Sequence, residues 1–183
     1  MLRAGADLYG IDLTEYAVEQ TRRRFEIFNL ASTLSVGYAE KLVFPDESFD
    51  LVCSWGMLHN SPDTPQAVSK VFFVFSRGWD AKIRIYHKRS MFGYMLRGRY
   101  ALLRFWITLR EIYAQYLESL GTKSYSLAEA RQLFSEFRDV IIKTPLGHGD
   151  LLKSNMRLRH RYFLLSMAKS LGLGGLFVVL CRS

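Results

Sequence analysis

The chain of 183 residues is long enough for one domain with a packed core and too short to predict two. Its 49% hydrophobic and 14% aromatic content excludes an intrinsically disordered protein. The formal net charge of +8 is local, because eight basic residues and no acidic residue lie between Asp80 and Glu111, so no specific nucleic-acid partner is expected.

The first half of the chain predicts strands alternating with helices. An apolar run ends at Asp12, and Thr14 follows as the cap of a helix. The predicted elements, in order, are a strand over 8–11, a helix over 15–29, a strand over 33–38, a buried strand over 49–55, a helix from 61–65 to about 75 and a strand over 81–86. The helix is expected to end at 77–79. This order is typical of an α/β domain with a largely parallel sheet.

The second half predicts fewer strands. Residues 91–120 indicate a long helical stretch, and a Ser126–Glu129 capping box begins a short helix over 126–137. Two last strands are predicted over 140–144 and 176–181. We therefore expect a core over 1–87, a helical insertion over 88–125 and the rest of the same domain over 126–183.

The two cysteines, Cys53 and Cys181, have no metal-ligand spacing, and both lie in apolar runs. They are expected to be reduced, buried thiols, and no metal site is predicted. The N-terminus does not resemble a signal peptide, so the expected location is the cytoplasm.

Several polar residues follow predicted strands, where ligands bind in open α/β sheets. Asp12 could accept hydrogen bonds from a ribose or simply cap the next helix. Glu40 could meet an adenine edge or be a solvated loop residue. Gly56 permits a sharp turn beside a ligand, and Ser54, Trp55 and His59 would line the same cleft.

Three segments together resemble the class I S-adenosylmethionine-dependent methyltransferases, in the small-molecule branch that includes quinone-biosynthesis enzymes. They are Gly10-Ile11-Asp12, then Ala39-Glu40 before Phe44-Pro45-Asp46-Glu47-Ser48-Phe49-Asp50, then Gly56-Met57-Leu58-His59. The resemblance covers about residues 5–87 and implies a Rossmann-like sheet with helices on both faces. It implies that Asp12 and Leu13 bind the ribose of S-adenosylmethionine, that Ala39 and Glu40 flank its adenine, and that residues 54–56 lie beneath its methionine part.

The chain departs from this family in two places. Relatives carry a strand and a glycine-rich loop roughly 20 residues before the position of Asp12, where only eleven residues precede it here. We expect that this strand, which lies mid-sheet in the family, is lacking, that donor binding is impaired, and that an exposed sheet edge causes instability or association. Relatives also carry Lys-Pro-Gly-Gly near 75–80, where this chain has Phe75-Ser76-Arg77-Gly78-Trp79-Asp80.

Three histidines are candidates for acid–base chemistry. His59 is the one base candidate near the cleft, although a structural or acceptor-shaping role is the alternative. His87, beside Lys88 and Arg89, is expected to be solvated, and His148 is expected in a hydrogen-bonded turn.

Residues 90–121 lie where relatives insert a cover over the acceptor. The segment could be a helix packed on the sheet with a solvated basic face, a cover over a hydrophobic or anionic acceptor, or an interfacial helix on anionic lipid through 88–110. Arginines interrupt its apolar stretch, so it is not a membrane span.

Two functional hypotheses follow. The first is methyl transfer to a small or lipid-like molecule, impaired in this chain; the second is a non-catalytic fragment or interaction module of the same descent. A nicotinamide-cofactor domain would also use Asp12, but the chain lacks the glycine fingerprint of that class as well.

Overall fold

The structure is a computed structural model. It describes residues 1–90, 122–145, 169–174 and 176–182, and the single positions Tyr94, Glu111 and Ser166; the side chains of Arg77 and Trp79 are not described. The described elements are β1 (Tyr9–Asp12), α1 (Glu15–Ile27), β2 (Thr33–Val36), β3 (Phe49–Trp55), α2 (Thr64–Val74), β4 (Phe75–His87), β5 (Ser124–Tyr125), α3 (Leu127–Leu133), β6 (Ile141–Lys143) and β7 (Leu176–Arg182). Short 3-10 helices lie at Leu2–Ala4, Ala39–Lys41 and Leu58–Asn60.

The strands form two sheets. β1 and β2 pair in parallel, while the larger sheet has the order β3-β4-β7-β6, with β5 also paired to β4. β4 is parallel to β3 and β5, and β7 is antiparallel to both β4 and β6. The sheet is therefore mixed, and it gathers strands from both halves of the chain around β4.

One face of the larger sheet forms the hydrophobic core. Every second residue of β4, from Ala81 to His87, is buried, and Phe177, Val179 and Cys181 of β7 lie on the same face. This face packs with α2 and with Ala130 and Phe134 of the α3 region. Burial raises the pKa of the Cys181 thiol to about 12.

Side-chain caps begin the described helices, as predicted for Thr14 and Ser126. The Thr14 hydroxyl accepts the Ala17 N–H at 3.3 Å, and Asp63 Oδ1 accepts the Gln66 N–H at 3.0 Å. Ser126 and Glu129 form the predicted capping box. Because each cap satisfies a backbone donor left free in the first turn, these sequence signals locate the helices well.

The prediction for 75–80 is wrong. The helix ends at Val74, and β4 begins at once with Phe75, opposite Phe49. The register then shifts, since the next pair is Leu51 with Asp80, so residues 76–79 bulge out of the ladder. Gly78 has φ +82°, a left-handed conformation suited to glycine, and the segment mistaken for a helix end is this bulge.

The prediction of β3 as a buried strand is also wrong. None of its residues is buried, and Cys53, expected to be a buried thiol, is exposed. Among the described residues β3 pairs with β4 alone, so its other edge is open. An apolar strand is covered only when it has neighbours on both sides and on both faces.

Aromatic side chains connect the two sheets at the amino ends of their strands. The rings of Tyr9, Phe44 and Phe49 pack edge to face, with centroids 4.9–6.1 Å apart. Beyond this aromatic cluster, hardly any Cα atom of β1 lies within 8 Å of β3. The cluster thus joins the first residues of β1 and β3, while the strands themselves stay unpaired with each other.

The open edge of β3 makes self-association an expected result. A seven-residue strand without proline presents unpaired backbone groups along this edge, which can pair with another chain. Sedimentation velocity over a hundredfold range of concentration should show a rising average sedimentation coefficient. A constant monomer value together with a cooperative thermal transition would contradict the expected instability or association.

The long helical stretch predicted for 91–120 lies outside the described residues, except for Tyr94 and Glu111, which are both helical. The predicted turn at His148 lies outside them as well. No helix in the described part of the chain is long and apolar enough to cross a membrane.

Candidate functional site

The Asp12 carboxylate stands at the carboxyl end of β1, as predicted. Its Oδ1 accepts the Thr14 backbone N–H at 2.9 Å and the Thr14 hydroxyl at 3.0 Å. No described residue donates to the second oxygen, Oδ2, and Asp12 is only partly buried. The carboxylate therefore holds the turn into α1 through one oxygen, while the other accepts from no described residue, so the two alternatives for Asp12 are compatible.

Glu40 is not the solvated loop residue offered as one alternative, because only 9% of it is exposed. Its Oε1 accepts the Asp63 N–H at 3.3 Å. Burial raises the pKa of this carboxyl, but hydrogen bonds from Ser61, from its own backbone and from Asp63, with the nearby Lys123 charge, outweigh burial and leave the pKa lowered. The carboxylate thus anchors the loop before α2, and its contact with adenine stays a prediction.

Lys123 fixes the same loop from the other side, and sequence analysis missed it. Its Nζ donates to the carbonyls of Ser61 at 2.8 Å and Pro62 at 2.6 Å, and to the Thr64 hydroxyl at 3.3 Å. Its backbone N–H donates to the His59 carbonyl at 3.0 Å. One lysine therefore satisfies three oxygens on the loop between β3 and α2.

Two further contacts extend this support toward Gly56. The Thr122 hydroxyl donates to Asn60 Oδ1 at 2.9 Å, and Asn60 Nδ2 donates to the Gly56 carbonyl at 3.1 Å. Gly56 has φ +80°, which favours glycine at this turn. Residues 56–64 are thus held by the two residues just before β5. They are called the donor loop below, after the methyl donor that the resemblance predicts beside them. No local pattern reveals this, since Thr122 and Lys123 lie about 60 residues away.

The other residues predicted to contact S-adenosylmethionine differ in their exposure. Trp55 is 70% exposed, and the Arg84 guanidinium lies 4.8 Å from the centre of its ring. Ser54 Oγ is enclosed and has no hydrogen-bond partner among the described residues. Leu13 is exposed and Ala39 is buried. The structure therefore gathers Glu40 and the donor loop but leaves Asp12 on a separate sheet.

His59, the candidate base, is completely buried. Its ring packs against Tyr86, with centroids 4.5 Å apart. This packing holds the donor loop against β4. The role of His59 as a base stays a prediction.

The prediction that His87 is solvated is wrong. His87 is buried, its ring lies 4.3 Å from that of Phe177, and its Nδ1 lies 3.0 Å from the Gly174 carbonyl oxygen. A carbonyl only accepts, so Nδ1 carries the proton. Burial lowers the pKa of His87; the Gly174 contact opposes this shift, and the charge of Arg89 adds to it.

This burial predicts that stability decreases in acid. Because the folded-state pKa of His87 lies below its unfolded value, the unfolded chain takes up the proton first as pH falls through about 6.5. Unfolding free energies measured from pH 8 to 5 should fall, with a slope reaching about 1.4 kcal/mol per pH unit for this group. The slope should be shallower in His87→Gln; equal slopes would contradict the prediction.

One open depression of about 600 Å³ lies between α1 and β2. It is lined by charged side chains such as Glu15, Glu19, Arg22 and Arg23, and none of the predicted site residues lines it. Glu19 forms ion pairs with both arginines at 2.7 and 2.9 Å, so this surface is electrostatically balanced. The described residues contain no cluster of side chains suited to a metal ion.

The fold and the loop geometry define an α/β domain with a Rossmann-like methyltransferase sheet. Solved methyltransferases share it: a possible histamine N-methyltransferase from Thermotoga maritima (TM-score 0.62, 16% identity, 94% of this chain and 72% of that one) and an S-adenosylmethionine-dependent methyltransferase from Mesorhizobium loti (TM-score 0.61, 16% identity, 99% and 82%). A putative methyltransferase from Haloferax volcanii, solved with a methyltransferase activator, also matches (TM-score 0.66, 15% identity, 99% and 75%).

At these identities the likeness establishes the fold. The sequence adds that residues 1–78, less than half of the chain, match the family described as a methyltransferase domain. The predicted resemblance to class I S-adenosylmethionine-dependent methyltransferases and the predicted Rossmann-like α/β fold are confirmed. The described helices α2 and α3 pack on one face of the larger sheet. No curated protein sequence matches the chain.

Proposed function

We propose that the chain serves S-adenosylmethionine-dependent methyl transfer to a small or lipid-like molecule. The observation that carries this proposal is the Asp12 carboxylate at the end of β1, whose Oδ1 is held by Thr14. Oδ2 would accept a hydrogen bond from a ribose hydroxyl. The donor loop also supports the proposal, because Glu40 and Lys123 hold it in a fixed position. In that position it would lie beneath the methionine part of S-adenosylmethionine. S-adenosylmethionine would supply an electrophilic methyl group on a sulfonium.

The residues of this chain would act by binding and orientation. Methyl transfer needs the acceptor in line with the methyl group, and most of the rate gain comes from positioning. A base is needed only when the acceptor must lose a proton, which would be the role of His59. The segment 90–121, with its basic and apolar residues, would cover the acceptor.

We further propose that donor binding is impaired in this chain. β1 and β3 are not paired with each other, and Asp12 and the donor loop stand on different sheets. A strand with a glycine-rich loop between β1 and β3 would join the sheets and add backbone donors for the ligand.

Calorimetric titration of S-adenosylmethionine into this chain, and into a form preceded by a strand and glycine-rich loop, tests the proposal. The preceded form should bind at least about tenfold more tightly, a difference of 1.4 kcal/mol or more. In that form Asp12→Asn keeps an oxygen for Thr14 but removes the charge, so binding should weaken about tenfold. Asp46→Asn, which changes an exposed carboxylate, is the matched control.

The second candidate is a non-catalytic interaction module. The open edge of β3 and the use of Glu40 to anchor the donor loop favour it. If both forms of the chain fail to bind the donor, methyl transfer is rejected and this candidate stands.

A further inference from the structure

The second face of the larger sheet is apolar and cationic. Residues in register share a face, so the pairing places one set of side chains together opposite the core. This set, called the basic face below, comprises Leu51, Cys53, Trp55, Asp80, Lys82, Arg84, Tyr86, Ile141, Lys143, Leu176, Val178, Leu180 and Arg182. None of these residues is buried, in contrast to their neighbours on the core side.

The charges of the basic face are not balanced. Arg182 pairs with Asp80, the single acid of the set, at 3.2 Å. Lys82, Arg84 and Lys143 have no acidic partner among the described residues. Three positive charges therefore stand among apolar side chains, and they favour an anionic partner that also has apolar groups.

The centre of the basic face has the composition of a binding hot spot. The Trp55 ring is 70% exposed and has the Arg84 guanidinium 4.8 Å from its centre. Across the ladder from Arg84 lies Val178, followed by Lys143. Tryptophan and arginine are enriched among residues that dominate binding energy, and a held guanidinium loses little freedom on binding.

We propose that the basic face is the docking surface for an acidic amphipathic helix of a partner protein. Helices are the elements that cover the faces of parallel and mixed α/β sheets. An apolar stripe on such a helix would pack on Trp55, Val178 and Leu180. Glutamates or aspartates flanking the stripe would pair with Lys82, Arg84 and Lys143. This inference is independent of methyl transfer.

The probe is an amphipathic peptide of about five helical turns, with leucines on one face flanked by glutamates. Calorimetry is run at chain concentrations where sedimentation shows the monomer. The peptide should bind the chain, and the Lys82→Glu/Arg84→Glu variant should bind about tenfold more weakly or worse. Arg131→Glu/Arg138→Glu, the same charge change on exposed residues elsewhere, should leave the affinity unchanged.

Two further measurements keep the proposal falsifiable. Lys143→Glu, on β6 rather than β4, should also weaken binding if the first variant unfolds, as monitored by circular dichroism. A peptide with lysines in place of the glutamates should not bind. The proposal is overturned if the acidic peptide fails to bind, if it binds the charge-reversed variants equally, or if anionic phosphatidylserine vesicles bind the face and the peptide does not.

Discussion

Replacing Lys123 by methionine is expected to lower the free energy of unfolding by about 2–4 kcal/mol. Methionine keeps most of the side-chain volume but leaves the Ser61 and Pro62 carbonyls and the Thr64 hydroxyl without their donor. It also removes the positive charge beside the Glu40 carboxylate, which is nearly enclosed. Denaturant unfolding followed by circular dichroism measures the loss.

Lys88→Met is the matched control. Lys88 contacts Glu129 at 3.0 Å, but both side chains are substantially exposed. Solvent screens such a pair, so its loss should cost less than about 1 kcal/mol. Equal losses in the two variants would mean that the donor loop is not held by Lys123.

The same variant tests the coupling to Glu40. Glu40→Gln keeps an oxygen for the Asp63 N–H and removes only the charge. In a double-mutant cycle the two changes should be non-additive by about 0.5–3 kcal/mol, as expected for neighbours in one network. Additive losses would show that the carboxylate and the lysine act separately. In the form preceded by a strand and glycine-rich loop, Lys123→Met should also weaken S-adenosylmethionine binding, because the donor loop loses its fixed position.

Gly174→Ala is expected to cost about 2–4 kcal/mol. A Cβ atom at this position would lie 2.5 Å from the Pro145 carbonyl oxygen and 2.7 Å from that of Thr144. Both are backbone atoms, so the turn itself must move. Because the Gly174 carbonyl is the partner of His87 Nδ1, the shift would also disturb the histidine.

Gly37→Ala is the control for Gly174. There a Cβ would meet only the Ile11 side chain at ordinary contact distance, 3.9 Å, so stability should change by less than about 0.5 kcal/mol. Thermal unfolding of both variants compares them directly. A Gly174→Ala chain as stable as Gly37→Ala would show that the approach of 144–145 to 174 is not fixed in solution.

Local patterns predicted the elements whose signals are local. Thr14, Asp63 and Ser126 cap the helices that follow them because a cap needs only the next three residues. The apolar run at 176–181 located β7 to within one residue. The residues that follow β1 and β3 were likewise placed at strand ends from local sequence.

Features set by distant neighbours were missed. His87 is buried because Gly174 and Phe177 reach it from the other end of the chain. Cys53 is exposed because β3 pairs with β4 alone among the described strands. A single apolar run does not reveal the order of strands in a sheet. Lys123 is an isolated lysine in sequence, and its importance comes from three oxygens about 60 residues away. The bulge at 76–79 depends on the register between β3 and β4.

The aromatic cluster of Tyr9, Phe44 and Phe49 is one of two places where the two sheets are held together. It joins them where the strands begin, while Asp12 and Trp55 stand where the strands end. At that second end Ala39 and Glu40, which follow β2, pack against α2 and the loop before it. Contacts at both ends of the strands leave no single pivot, so packing on both sides sets the distance between Asp12 and the donor loop.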